Sequence, residues 1–205
     1  YRRKNLIMKV KYLDLKNKRV FISGGGSGIG ATIVEHFCEQ NSEVYFIDID
    51  IKASKELINN IKQKKLRTPN FIECNILDIK KLQNTIQEII NKKGPIHCLI
   101  NSAANDDRHT TEQVDEKYWE NRMGINLKHY FFAAQAVVKG MKKIKSGSIV
   151  NLSSVSWMLG EGDKVVYETA KSAVVGLTRS FAQEFGKYNI RTNSVIPGSI
   201  ATERQ

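Results

Sequence analysis

The sequence predicts an α/β protein, a single domain built on a doubly wound parallel sheet, and three observations carry that prediction. Short β-rich runs alternate with longer amphipathic segments from residue 19 to residue 196. The short runs are apolar at nearly every position, as strands are when helices cover both faces of a sheet. A glycine-rich turn separates the first such run from the segment after it.

Residues 1–17 are polar and basic and are expected to be poorly ordered, with 1–12 a flexible lead-in to one domain spanning 13–205. Met8 is a candidate first residue, with 1–7 an upstream read-through. The run 19–23 (Arg-Val-Phe-Ile-Ser) reads as a buried strand, and 31–40 as a helix. Between them lies Gly24-Gly25-Gly26-Ser27-Gly28-Ile29-Gly30, so strand, glycine turn and helix follow in the order a Rossmann-type dinucleotide site requires. Glycines permit the tight turn and let backbone approach a phosphate. The helix N-terminus then offers free N–H groups and a positive dipole end.

The run 43–47 reads as a second strand ending at Asp48. That is about twenty residues past the turn, where a carboxylate can bind the adenosine ribose hydroxyls. A carboxylate there repels a 2′-phosphate, so NAD is expected over NADP, and Ser27 in place of a basic residue points the same way. Asp48 could instead cap the next helix, and Asp50 competes for either role. The alternation continues with a helix over 53–65, a strand over 70–74 and a helix over 78–91 capped by Asp78. Gly94-Pro95 stops that helix. A strand over 96–100, one long helix over 115–143, a strand over 147–152, a helix over 164–187 and a strand over 190–196 complete the series. Right-handed crossovers turn such an alternation into a doubly wound sheet.

Tyr167 and Lys171 fall in the last helix, four residues apart and so on one face. A free phenol with a pKa near ~10 shuttles protons poorly at neutral pH. A neighbouring ammonium lowers that pKa, which makes the pair a candidate acid/base device.

Composition narrows the function classes. The net charge of +11 comes with lysines grouped near predicted helix ends and without interleaved aromatics, which argues against nucleic acid as a partner. No apolar run approaches the ~20 residues that span a bilayer, and no secretory leader is visible, so a cytoplasmic location without a membrane partner is expected. Cys38, Cys74 and Cys98 are isolated and read as reduced thiols, and the four histidines lack metal-ligand spacing, so no metal is expected.

These motifs together resemble the short-chain dehydrogenase/reductase family, over about residues 13–205. They run in order as Ser-Gly-Gly-Gly-Ser-Gly-Ile-Gly at 23–30, Asn-Ser-Ala-Ala at 101–104, Asn126, Ser153-Ser154, Tyr167-x-x-x-Lys171 and Pro197-Gly198. The resemblance implies that Tyr167 is the general acid/base, and that Lys171 lowers its pKa and holds the nicotinamide ribose. It implies that Ser154, thirteen residues before Tyr167, binds the reacting oxygen, with Ser153 the nearer alternative, and that Asn126 holds a water in a proton relay. Ser154 could instead cap a strand end, and Asn126 could simply bond backbone. For the cofactor it implies Gly24, Ser27, Gly28, Ile29 and Gly30 at the pyrophosphate, Asp48 and Ile49 at the ribose and Asn75 and Ile76 near adenine. Asn101, Ala103, Tyr167, Lys171, Pro197 and Ile200 follow toward nicotinamide.

Departures from the family pattern are Ser23 for threonine, Asn75 for aspartate, and Ser102 and Ala104 for asparagine and glycine. The family continues past Pro-Gly with a substrate loop, further helices and a last strand. Residues 1–205 are therefore expected to lack the C-terminal strand and to be poorly soluble or inactive by themselves.

Asp106, Arg108, Ser154, Trp157 and Tyr167 are the expected substrate contacts. The run Asn105-Asp106-Asp107-Arg108-His109, with the Ser156-Trp157 and Thr202-Glu203-Arg204-Gln205 segments, resembles the aldose 1-dehydrogenase branch, such as D-xylose or L-arabinose 1-dehydrogenases. That branch implies oxidation of a cyclic sugar at C1 to a lactone with NAD. A solvated, salt-bridged loop is the alternative for 105–109. A 3-oxoacyl-carrier-protein reductase and a non-catalytic dinucleotide-binding protein are the competing functions. The resemblance also implies a homotetramer in which the 115–143 and 164–187 helices meet a partner's.

Overall fold

A computed structural model describes residues 10–201. Its elements alternate as the apolar pattern requires: β1 (Arg19–Ser23), α1 (Gly28–Glu39), β2 (Glu43–Asp48), α2 (Ile51–Gln63), β3 (Asn70–Glu73), α3 (Ile79–Lys93) and β4 (Cys98–Asn101). Then come α4 (Glu116–Met123), α5 (His129–Ile144), β5 (Gly147–Leu152), the short α6 (Ser156–Leu159), α7 (Val165–Phe185) and β6 (Ile190–Val195). The six strands form one sheet in the order β3-β2-β1-β4-β5-β6, with every pairing parallel.

Strand periodicity divides the core between the two faces. Val20, Ile22, Val44 and Phe46 join Val34 and Cys38 of α1 and Ile61 of α2. Phe21, Tyr45 and Ile47 point the other way, toward Leu82 and Ile86 of α3, Ala133 and Val137 of α5 and Phe181 of α7. A carboxylate caps each of three helices as an N-cap acceptor: Asp50 for α2, Asp78 for α3 and Asp115 for α4. Asp50, not Asp48, is thus the cap of α2. Gly94 at φ +95° ends α3, a left-handed position that glycine takes without a Cβ clash.

Two expectations need correction. The segment 10–17 is fastened rather than loose: Tyr12 N–H donates to Gln40 Oε1 at 2.8 Å, Ser42 Oγ donates to the Leu15 carbonyl at 2.8 Å, and residues 13–15 form a 3₁₀ turn. Residues 1–9, including Met8, lie outside the described residues, as do 202–205. The single long helix expected over 115–143 is two helices joined by a π turn, Gly124–Lys128, centred on Asn126. No proline interrupts the run, so the sequence does not betray the turn.

Candidate active site

At the carboxyl ends of β1 and β4 the chain departs to opposite faces, which opens a crevice at the switch point of the sheet. Gly24 sits at φ +68°, and a Cβ there would lie 2.6 Å from Ala103 Cα, so the two crevice walls meet backbone to backbone. A Cβ on Gly30 would run into the Gly24 carbonyl, which is why α1 can start directly under the turn. Ser23 ties the walls together: its Oγ accepts from Ser102 N–H at 3.2 Å and Ala103 N–H at 3.4 Å. Ser27 stands at the N-cap of α1 without a side-chain cap bond, leaving the first-turn N–H groups of Gly28, Ile29 and Gly30 open to an anion. Glycine cradle and uncapped helix end fit a pyrophosphate.

Asp48 closes the far side of the turn. One carboxylate oxygen accepts Gly26 N–H at 2.8 Å and the other accepts Asp50 N–H at 2.9 Å. A Cβ on Gly26 would press on that carboxylate at 2.9 Å. Asn75 is exposed, and its amide oxygen already accepts Leu77 N–H at 3.0 Å, leaving one lone pair for adenine. Ile49 is exposed, and the half-buried Ile76 side chain packs against the core. Asn101 is likewise turned inward. It is fully buried and donates to Asn151 Oδ1 at 2.9 Å, and Asn151 in turn donates to Thr178 of α7. Pro197 is drawn in beside the end of β5 by a 3.0 Å bond from Val155 N–H to its carbonyl, and Ile200 is exposed. Ala104 has no positive φ, so its Cβ costs nothing.

Tyr167 and Lys171 share the face of α7 that looks into the crevice. Lys171 is 1% exposed, and its Nζ donates to Tyr130 Oη and to the Leu152 carbonyl, each at 2.8 Å. Burial pulls its pKa down to about 7, against a raising influence from the Asp106 carboxylate. Burial also pushes the Tyr167 phenol up, its hydrogen bond with Ser154 pulls it back, and the Asp106 and Glu161 carboxylates add to the rise. The net direction is upward, against the lowering expected from Lys171. The lysine nitrogen is engaged by Tyr130 and Leu152, and stands 5.5 Å from the Tyr167 ring centroid.

The two serines separate cleanly. Ser153 is buried and donates to the Lys171 carbonyl at 2.6 Å, a strut between β5 and α7. Ser154 faces the phenol and shares a 2.9 Å bond with the Ser156 hydroxyl. Asn126 lies in the π turn and clasps the Asn105 backbone: Oδ1 accepts Asn105 N–H and Nδ2 donates to the Asn105 carbonyl, both at 2.9 Å. The oxygen keeps a second lone pair and the nitrogen a second N–H.

The run 105–109 divides into two kinds of residue. Arg108, 71% exposed, pairs with Asp163, Asp107 accepts from Arg122 at 2.8 Å, and His109 is buried. The His109 backbone N–H donates to the Asp163 carbonyl at 2.7 Å, and its Nε2 accepts Val166 N–H at 3.3 Å. That leaves the ring hydrogen on Nδ1, 2.9 Å from Tyr118 Oη. The salt-bridged-loop alternative thus describes Asp107 and Arg108. Asp106 remains, exposed and close enough to bias both Tyr167 and Lys171. Trp157 is half-buried, with an indole N–H that is fully enclosed and has no protein partner.

Sequence reasoning missed Tyr130 and His129. Tyr130 follows Asn126 by four positions, a spacing that would have put it beside the tetrad. His129 is fully buried 3.4 Å from Ser23 Oγ and is held neutral, its pKa pushed down to about 3 by burial and by the Lys171 charge.

A parallel sheet with an anion cradle at its switch point, and a Ser-Tyr-Lys cluster facing that cradle, defines a nucleotide-dependent oxidoreductase. The family described as short chain dehydrogenase matches residues 18–205, and the chain belongs to that family. It is accordingly an oxidoreductase of CH–OH groups that uses a nicotinamide cofactor. It is 41% identical over 194 residues to the D-xylose 1-dehydrogenase of Caulobacter vibrioides (strain NA1000 / CB15N), covering 95% of this chain and 76% of that protein. It is 39% identical over 195 residues to the probable galactose dehydrogenase GalD of Rhizobium meliloti, with the same coverage. The ligand-free Thermoplasma acidophilum aldohexose dehydrogenase superposes with a TM-score of 0.81 at 28% identity, over 94% of this chain and 70% of that one. A 3-oxoacyl-[acyl-carrier-protein] reductase from Thermotoga maritima is more distant, at 31% identity.

Proposed function

We propose that this chain oxidises the C1 hydroxyl of a cyclic aldose to the lactone with NAD. The observation that carries the reading is the carboxylate of Asp106 beside the Tyr167–Ser154–Lys171 cluster, an acceptor suited to the vicinal hydroxyls of a sugar. The enclosed indole N–H of Trp157 and the sugar-acting names of the two relatives near 40% identity support it. An acidic group at that place disfavours an anionic carrier-bound substrate.

The nicotinamide, when bound, supplies the hydride acceptor. The remaining steps fall to the chain. Ser154 donates a hydrogen bond to the substrate oxygen, and Tyr167 as phenolate removes the hydroxyl proton. With a hydride acceptor in place, C1 would give up its hydrogen with the bonding pair, and the C1–O bond would become the lactone carbonyl. Lys171 holds the ribose and supplies the positive charge that a phenolate needs. NAD is preferred because Asp48 is fixed over the turn by two backbone bonds and cannot swing away from a 2′-phosphate. The same reading includes a cytoplasmic homotetramer formed through α5 and α7, where Leu127, Phe131, Phe132 and Leu177 line an apolar groove.

The test is NADH formation against a panel of aldoses, ketoses and polyols, with NADP in parallel and Tyr167→Phe as the blank. Turnover of a pentose or hexose with NAD is expected. Silence with all sugars, together with NADPH consumption on acyl thioesters, would replace the reading by a ketoreductase. Asp48→Ala is expected to narrow the NAD-to-NADP preference by about tenfold, or ~1.4 kcal/mol.

A further inference from the structure

We propose that Tyr130 is a positioning residue for the reaction: its phenol oxygen is the fixed acceptor that holds the Lys171 ammonium in place beside Tyr167. The inference rests on the dehydrogenase reading of Tyr167 and Lys171 and assigns a role to a side chain outside that pair.

The geometry is a closed triangle in a dry site. Lys171 Nζ donates to Tyr130 Oη at 2.8 Å and to the Leu152 carbonyl at 2.8 Å, while Tyr130 Oη donates its own hydrogen to that carbonyl at 2.9 Å. Tyr130 is 0% exposed and Lys171 1%. An ammonium buried without acceptors is costly, and here two of its three N–H groups are committed to protein oxygens. The third stays free for the ribose of the cofactor. Because the phenol keeps its proton, it must donate one way and accept the other, which fixes the direction of every bond in the triangle. Burial, with the nearby Tyr167, holds the Tyr130 pKa above that of a free phenol, so the arrangement persists across the working pH range.

The groups facing Lys171 from each neighbouring element are few. From α5 come Tyr130 and neutral His129, and from the end of β5 comes the Leu152 carbonyl. From α7 comes Tyr167, and from the loop after β4 comes Asp106. Asp106 favours the charged lysine, and His129 opposes it only if protonated. Tyr130 is the neutral acceptor whose removal leaves the ring volume intact yet deprives the ammonium of half its protein bonds. With phenylalanine in its place, Lys171 should lose its proton more readily, and a neutral lysine no longer supports the Tyr167 phenolate.

The experiment compares wild type, Tyr130→Phe and Tyr130→Gln in the complete natural chain. The Lys171 ammonium is followed in the ligand-free protein by the pH dependence of its ¹³Cε resonance, assigned by its loss in Lys171→Met. The Lys171 midpoint is expected to fall by about one pH unit in Tyr130→Phe, the shift that follows from losing one hydrogen bond to a charged group. Tyr130→Gln, whose amide can accept from the lysine and donate to Leu152, is expected to restore most of it. The alkaline rise of kcat should move up in Tyr130→Phe, with kcat at neutral pH down several-fold and the substrate KM unchanged. A Lys171 midpoint and kcat profile identical to wild type in folded Tyr130→Phe would falsify the proposal.

If Tyr130→Phe does not fold, the wild-type Tyr130 ¹³Cζ resonance decides the matter. It should inflect at the Lys171 midpoint, and a flat trace would overturn the assignment. Because these NMR readouts use ligand-free protein, they stand or fall separately from any failure to find the sugar substrate.

Discussion

Lys171 is a cation stored where water does not reach, and that has an energetic signature as well as a chemical one. Its folded-state pKa of about 7 lies below the ordinary value of 10.5. Between those values the unfolded chain binds the extra proton, so stability rises with pH across that window and the cost of the buried charge is complete below it. Lys171→Met should therefore raise the melting temperature of the ligand-free protein most at pH 6, with the gain fading toward pH 10. The same variant should lose turnover. Tyr167→Phe should lower kcat by at least ~100-fold while fluorescence titration of the cofactor stays near wild type. At this scale Tyr167 and Lys171 were legible, because helical spacing alone puts the two side chains together. The direction of the Tyr167 shift was not. It is set first by burial of the phenol, which helical spacing does not reveal.

Among the elements, α7 starts in an unusual way. Its N-cap, Lys164, offers no side-chain bond, and the N–H of Val166 is instead accepted by His109 from the far side of the crevice. The run 105–109 thus serves as a clamp on the helix that carries Tyr167. His109→Leu leaves the Val166 N–H and the Tyr118 hydroxyl without their partner, and should destabilise by about 1–3 kcal/mol in a denaturant midpoint assay. The conservative His109→Gln should lose less. That run was read as substrate-facing because it is dense in polar groups. Composition cannot distinguish a polar side chain aimed at a ligand from one closing a loop, and Arg108 is salt-bridged to Asp163. By contrast, β1, the glycine turn and α1 were legible almost to the residue. Their signals are local: an apolar run, a clash-free turn and an uncapped helix start. The π turn at Asn126 was invisible because no proline breaks the run 115–143 and helix continues on both sides of it.

For the whole molecule, the parallel sheet and the two-sided core followed from apolar runs separated by helical stretches. The strand order needed the handedness rule in addition. Cofactor binding should stabilise the native state by mass action, about 2.7 kcal/mol at a hundredfold excess over Kd. Scanning calorimetry with and without NAD is expected to show a rise of several degrees that grows with ligand concentration. An NADP series giving the larger rise would reverse the assignment of Asp48.

The contact between Gly24 and Ala103 has a consequence in time. The strands β3, β2 and β1 hydrogen-bond among themselves, as do β4, β5 and β6, and within the sheet the two sets join solely through β1 and β4. Each set can form from contacts closer in sequence, whereas the join pairs distant residues such as Val20 with Cys98, a slow kind of encounter. The nucleotide crevice is made by that join and has no second wall before it. In a refolding experiment, nucleotide binding should therefore appear with the slowest folding phase and lag behind the recovery of helical signal, so that the ligand reports when the two halves have met.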